Sequence, residues 1–282
     1  MKPLLVSPIL LGCLLVPGSV TAQTVSTLAA SRQVADEHEM SVNVKFGIGD
    51  VRITRDHGSA LYRLDLQFDE TNFVPVHRYD VSSRTLDVGL EGRAKLKDLD
   101  DLDQQLTLSL SPSVPTSFAL EFGAGNANVD LGGMTIRSAK IRTGASETEI
   151  EFSRPTLAPC EVFDVDVGAA QFRAVGLGNS NCEQISVSGG AGSITLDFSG
   201  EWQQRGETNA NVTLGLGSLG LRFPSHLGVT IRASRFLASL DLPGFERRGD
   251  QYISENYEQA GASLNLELKA IVADVNVVWI PR

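Results

Sequence analysis

Apolar and polar residues alternate along most of this chain, and short glycine corners interrupt the alternation. Between Leu61 and Phe68, residues Tyr62, Leu64, Leu66 and Phe68 fall on one side of a strand, while Leu61, Arg63, Asp65 and Gln67 fall on the other. The corners are Gly47-Ile48-Gly49, Gly123-Ala124-Gly125, Gly144-Ala145-Ser146, Gly168-Ala169-Ala170, Gly190-Ala191-Gly192 and Gly215-Leu216-Gly217. From Gly123 onward their first glycines are 21, 24, 22 and 25 residues apart. A repeat of that length predicts stacked units, each burying its apolar face only against its neighbours.

Aligned on the corners, the outgoing strands give one apolar set: Ala127, Val129, Leu131; Thr148, Ile150, Phe152; Phe172, Ala174; Ile194, Leu196, Phe198; Leu219, Leu221, Phe223; and Val275, Val277, Trp279. The intervening positions are mostly polar, as in Asn126, Asn128, Asp130 and Glu147, Glu149, Glu151. Side chains alternate across a strand, so the first set predicts a dry core and the second a wet wall. Glycine gives such a corner either positive φ or room. Helical spacing of apolar residues is almost absent, which excludes an α/β architecture. Strict aliphatic positions every sixth residue are also missing, which excludes a hexapeptide left-handed helix with rungs of about 18 residues.

The chain thus predicts an all-β fold: a single-chain β-solenoid with rungs of about 21–25 residues, preceded by an irregular N-terminal β region. Residues 23–37 read as a flexible arm, 38–111 as an N-terminal β region continuous with the solenoid, and 112–282 as the regular stack. Further strands are expected at Val74–Val81, Thr85–Leu90 and Leu106–Leu110. The charged stretch Arg93–Asp103 reads as a loop or a single helical turn.

Residues 1–22 read as a signal peptide, with Lys2 as its positive start, Leu4–Val16 as its apolar run and Val20-Thr21-Ala22 before a cleavage ahead of Gln23. A rival reading makes Leu10-Leu11-Gly12-Cys13 a lipobox and Cys13 a lipid anchor. No window reaches the roughly 18 apolar residues of a transmembrane segment. Export to the periplasm or cell surface is the expectation. Cleavage leaves Cys160 and Cys182, each eight residues before its corner glycine (Gly168, Gly190). They therefore share a register on adjacent rungs, about 4.8 Å apart, which predicts a disulfide; the alternative is a pair of buried thiols.

The formal net charge of −10 argues against nucleic acid and anionic membranes as partners. No metal or cofactor is expected. His38, His57, His77 and His226 are scattered and make no ligand spacing. No GxSxG is present, and the column Asn128, Glu149, Arg173, Thr195, Gly220 changes type at every rung, unlike a catalytic cleft. The Glu147, Glu149, Glu151 stripe reads as a solvated face rather than a calcium site. The acidic run Asp98, Asp100, Asp101, Asp103 lacks the frame of a calcium loop and reads as a charged turn. Trp202, Tyr252 and Tyr257 offer a sugar-stacking surface; for Trp202, capping the core edge is the expected role.

Gly176-Leu177-Gly178-Asn179 and the run Val187 to Trp202 (VSGGAGSITLDFSGEW) resemble the central signature of the bacterial toast-rack family. Leu227-Gly228-Val229, Arg235-Phe236-Leu237-Ala238-Ser239 and Tyr252-Ile253-Ser254-Glu255-Asn256-Tyr257 resemble it as well, so that the likeness spans Pro112 to Trp279. These exported β-solenoid domains are similar to putative-adhesin domains and to the C-terminal region of membrane proteins of cell-wall-antibiotic responses. The resemblance implies the fold and carries no catalytic residue. The functional expectation is a non-enzymatic envelope platform for adhesion or for protein or glycan binding. The alternatives are a structural or stress-response protein that self-associates through solenoid ends, with exposed apolar edges near Trp279, and an enzyme acting on polysaccharide.

Overall fold

The computed structural model describes residues 25–93, 104–202 and 207–281. The expected signal peptide, the lipobox reading, the acidic run Asp98–Asp103 and nearly all of the charged stretch before it lie outside the described residues. In chain order the strands are β1 (Val25–Gln33), β2 (Met40–Arg55), β3 (Ala60–Asp69), β4 (Phe73–Asp80), β5 (Thr85–Gly92), β6 (Gln105–Leu110), β7 (Thr116–Asp130) and β8 (Ile136–Glu151). There follow β9 (Cys160–Val175), β10 (Cys182–Asp197), β11 (Glu207–Pro224), β12 (Leu227–Arg235), β13 (Ser239–Asp241), β14 (Phe245–Arg248), β15 (Gln251–Ser254) and β16 (Ala262–Ile280). All belong to one sheet, and the described residues hold no α-helix.

Seven long strands are the rungs: β2, β7, β8, β9, β10, β11 and β16 run parallel in that order, each bent at its corner. The apolar set forms vertical columns, with Val129, Ile150, Ala174, Leu196, Leu221 and Val277 paired in sequence up the stack. All of these are buried. The two arms of the bent rungs cover each other. Phe152, past the end of β8, meets Phe163 at the start of β9 with ring centroids 5.6 Å apart. Burying each such ring is worth about 1.5–3 kcal/mol, and repetition up the stack makes a continuous core.

The corner glycines divide into two kinds. Gly49, Gly125, Gly192 and Gly217 have φ between +110° and +128°, where a side chain is strained. The first glycines of the corners lack positive φ; Gly144 and Gly215 are there because an added Cβ would lie 2.5 Å from the carbonyl oxygen of the rung below. Ser146 and Ala170 occupy the third corner position on rungs that do not need the left-handed turn.

Both ends of the stack carry a split rung. The outer edge of β2 pairs with β5 on one arm and β6 on the other. At the far end, β16 pairs with β12 on one arm and the short β13 on the other. The insertion β12–β15 therefore lies in sequence between β11 and β16, while β16 still stacks directly on β11. The expectation of a flexible arm at 23–37 is corrected: Val25–Gln33 pair antiparallel with β3, and Leu28 and Ala30 pack on the core. Small residues such as Ala29, Ala30 and Ser31 hide that strand in the sequence, and its partner lies far along the chain.

Candidate functional site

The residues singled out in the sequence do not converge on a reactive centre. Cys160 and Cys182 are directly opposite on β9 and β10 and form a disulfide. Glu147, Glu149 and Glu151 line the outer wall, where Glu149 pairs with Arg173 at 3.5 Å. Partial burial, then repulsion from Asp130 and Glu149, pushes the Glu151 carboxyl above its usual range. Among the described residues no group of three His, Cys, Asp or Glu side chains is placed to hold a metal ion. His38 and His57 are exposed and His226 is half-buried.

His77 is half-buried. It lies where β4 meets β3, and its Nε2 is 3.0 Å from the Tyr62 hydroxyl. Beside it Tyr79 donates to Glu37 (3.2 Å), Arg32 donates to the same carboxylate oxygen (3.2 Å), and the Arg32 guanidinium sits over the Tyr79 ring. Burial lowers the His77 pKa and raises that of Tyr62. For Glu37 burial acts upward, but hydrogen bonds from the Ala35 N–H, Arg32 and Tyr79 outweigh it and hold the carboxyl low. The cluster ties β1, β3 and β4 together, with its polar groups bonded to one another. It reads as a structural latch.

The motifs behind the family resemblance also turn inward. Asn179 donates to the Phe152 carbonyl and accepts from the Glu201 N–H, both at 2.8 Å. Trp202 donates through Nε1 to the Phe198 carbonyl and packs against the Phe198 ring. Trp202 thus closes the core edge, as expected.

The candidate site lies at the other end of the molecule. On the outer face of β11, β16 and β12, residues Asn209, Asn265 and Thr230 are in register on three neighbouring strands, with Asn211, Glu267 and Arg232 one pair along. These side chains, with Gln251 of β15 and Tyr257, line a groove of about 490 Å³. Asn265 is its hub. Its carbonyl accepts from Thr230 (2.8 Å) and its amide donates to Glu207 and Asn209. Arg232 is held between Glu267 (3.5 Å) and Asp250 (3.4 Å). The groove thus offers amides, a hydroxyl, a guanidinium and carboxylates at fixed spacing beside one aromatic ring. It has donors and acceptors in balance and no nucleophile–base pair. Of these residues the sequence singled out Tyr257 alone; the rest come together only because β16 skips back over β12–β15 to stack on β11.

A family model described as the N-terminal domain of toast_rack matches residues 17–171. The chain belongs to the toast-rack family. The matched residues lie mostly before the stretch that carried the resemblance, and the two overlap between 112 and 171. No curated protein matches the chain. Among solved structures, a putative cell adhesion protein from Clostridium sporogenes is 16% identical, covering 91% of this chain and 100% of its own, with a TM-score of 0.46. A putative adhesin from Bacteroides fragilis is 9% identical, covering 91% and 98%, with a TM-score of 0.40. At that similarity neither lends its role to this toast-rack protein.

Proposed function

We propose that this toast-rack protein is an exported, non-enzymatic envelope protein that uses its stack as a rigid platform for a polyhydroxylated ligand, a cell-wall or surface glycan. The observation that carries the reading is the in-register set Asn209, Asn265 and Thr230, with Arg232, Glu267 and Tyr257 around one groove. Each amide presents both donors and an acceptor. A strand wall holds such groups at about 4.8 Å without further ordering, which lowers the cost of binding. The disulfide agrees with maturation in an oxidising compartment, the periplasm or the cell surface. The pull-down of isolated cell-wall and polysaccharide fractions by the full chain tests this. Retention that is lost in Tyr257→Ala and Arg232→Ala, with melting temperature unchanged, is expected. Absence of retention, equal retention by the variants, or release of cleaved sugar products contradicts it.

A second reading, self-association through a solenoid end, is favoured by one observation. Among the described free edges, β4 carries Pro75, while β13 and β14 are only three and four residues long. By contrast β1 has nine residues, no proline, and no charge before Arg32. Natural sheets usually blunt such an edge. Concentration-dependent size that Ala29→Lys abolishes would support this reading, and a monomer at all concentrations would remove it. Near Trp279 the exposed apolar residue is Val278, while Trp279 itself packs on Phe245 and donates to the Pro243 carbonyl.

A further inference from the structure

We propose that the last corner of the stack docks on a lipid surface bearing anionic headgroups. Above the first rung, where it is the half-buried Ile48, the outward middle position of the corner is Ala124, Ala145, Ala169 and Ala191, one above the other. At the top this column becomes Leu216 and then Val272. Ile271 stands beside Val272, where the lower rungs place a glycine. The connection between β12 and β13 adds Phe236 and Leu237. Their backbone N–H groups donate to the carbonyls of Ala270 (3.2 Å) and Ile271 (2.8 Å), so the loop is fastened to the corner. The side chains nevertheless face water, with exposures of 78% for Phe236, 67% for Leu237, 56% for Leu216, 52% for Ile271 and 42% for Val272.

Folding does not demand this patch, since four of the five lower corners are built on alanine and Ile48 of the first packs on the core. Contiguous large apolar side chains on a monomer surface mark a binding face. The patch sits on the outside of a bend, a projecting shape suited to entering an interface. On the β12 side its rim is cationic. Arg235 adjoins Phe236 and, among the described residues, has only the Ala238 carbonyl as a partner; Lys269 lies just before Ile271 on the outer face. Neither has a carboxylate within ion-pairing range among the described residues. Of the neighbouring carboxylates of β16, Glu267 is paired with Arg232, while Asp274, on the other arm, accepts from the Ser239 hydroxyl and keeps its charge.

An apolar tip with unpaired cations at its base is the arrangement that lets aromatic and aliphatic groups enter the headgroup boundary while basic groups meet phosphate. Two copies meeting through this face would instead bring Arg235 and Lys269 of each together. The net charge of −10 describes the whole surface, whereas docking depends on this one corner. The inference stands apart from the glycan reading, because it uses other side chains and another readout. The groove begins on the same strands, at Arg232 and Glu267, so docking would hold it close to the bilayer.

The test is co-sedimentation of the full chain with phosphatidylcholine vesicles containing phosphatidylglycerol, against phosphatidylcholine alone. The native chain is expected to bind the anionic vesicles. Phe236→Ser with Leu237→Ser should abolish binding without lowering the melting temperature. Arg235→Gln with Lys269→Gln should weaken it about 30-fold, at about 1 kcal/mol per cation. No binding, equal binding to both vesicle types, or unchanged binding by the variants overturns the proposal. So does a concentration-dependent dimer that the Phe236/Leu237 variant abolishes, since that would assign the patch to a second copy.

Discussion

Cys160 and Cys182 face one another at the same register on neighbouring rungs, joined by a disulfide with their Cα atoms 4.1 Å apart. The bond closes one circuit of the stack, 22 residues of chain. Restricting a loop of that size in the unfolded chain is worth about 3 kcal/mol. Cys160→Ser with Cys182→Ser is therefore expected to lose about that much in denaturant unfolding while keeping its circular-dichroism spectrum. An unchanged unfolding midpoint would show that the bond constrains nothing.

The corner glycines predict penalties that differ with position. At Gly217 φ is +128° and an added Cβ would collide with the Gly192 carbonyl. Gly47 lacks positive φ, and a Cβ there meets nothing within 4 Å. Gly217→Ala should cost about 2 kcal/mol or more, and Gly47→Ala no more than about 0.5 kcal/mol. Equal costs would mean that the corners are not built as described.

Asn179 is buried with both ends of its amide engaged, by the Phe152 carbonyl and the Glu201 N–H. Asn179→Ala leaves these backbone groups without their partner and should cost about 1–3 kcal/mol. Thermal or denaturant unfolding measures it, and a neutral result would remove Asn179 from the account of the turn.

The latch at β1, β3 and β4 predicts a two-step response to acid. Burial depresses the His77 pKa, so the unfolded chain takes up a proton first, near pH 6.5. The stability associated with neutral His77 is complete above that pH and is lost as pH falls through it towards the lower folded value. Glu37 and Asp56 are also held low. Burial pushes Asp56 up, but the Arg63 hydrogen bond and the Gly58 N–H overcome it. Their share is present above about pH 4 and drains only below it. His77→Gln should remove the upper step from a plot of melting temperature against pH and leave the lower one. The same profile in both proteins would contradict the latch.

The rungs were legible because buried positions such as Ile150, Leu196 and Leu221 recur with a period of two between corners, so that sequence distance converts directly into height in the stack. The disulfide followed from the same conversion. β1 was not legible: Ala29, Ala30 and Ser31 carry little strand signal, and pairing with β3 supplies what they lack. Of the groove, the sequence offered Tyr257 alone. Asn209, Thr230 and Asn265 become neighbours because β16 returns past an insertion, and no local periodicity encodes such a return. The apolar corner was equally hidden, since only the stacking of β12 on β16 brings Phe236 beside Ile271.

Everything positioned on the walls, the groove and the corner alike, depends on residues one circuit apart being vertical neighbours on the outer face. Ser193 and Ser218 test this most directly, because they are paired on β10 and β11, with the Ser218 hydroxyl 3.1 Å from that of Ser193. Peptide mapping of oxidised Ser193→Cys/Ser218→Cys under non-reducing conditions should find this second intramolecular bond beside the intact Cys160–Cys182 bond. Two free thiols, or exchange with Cys160 and Cys182, would contradict the stack.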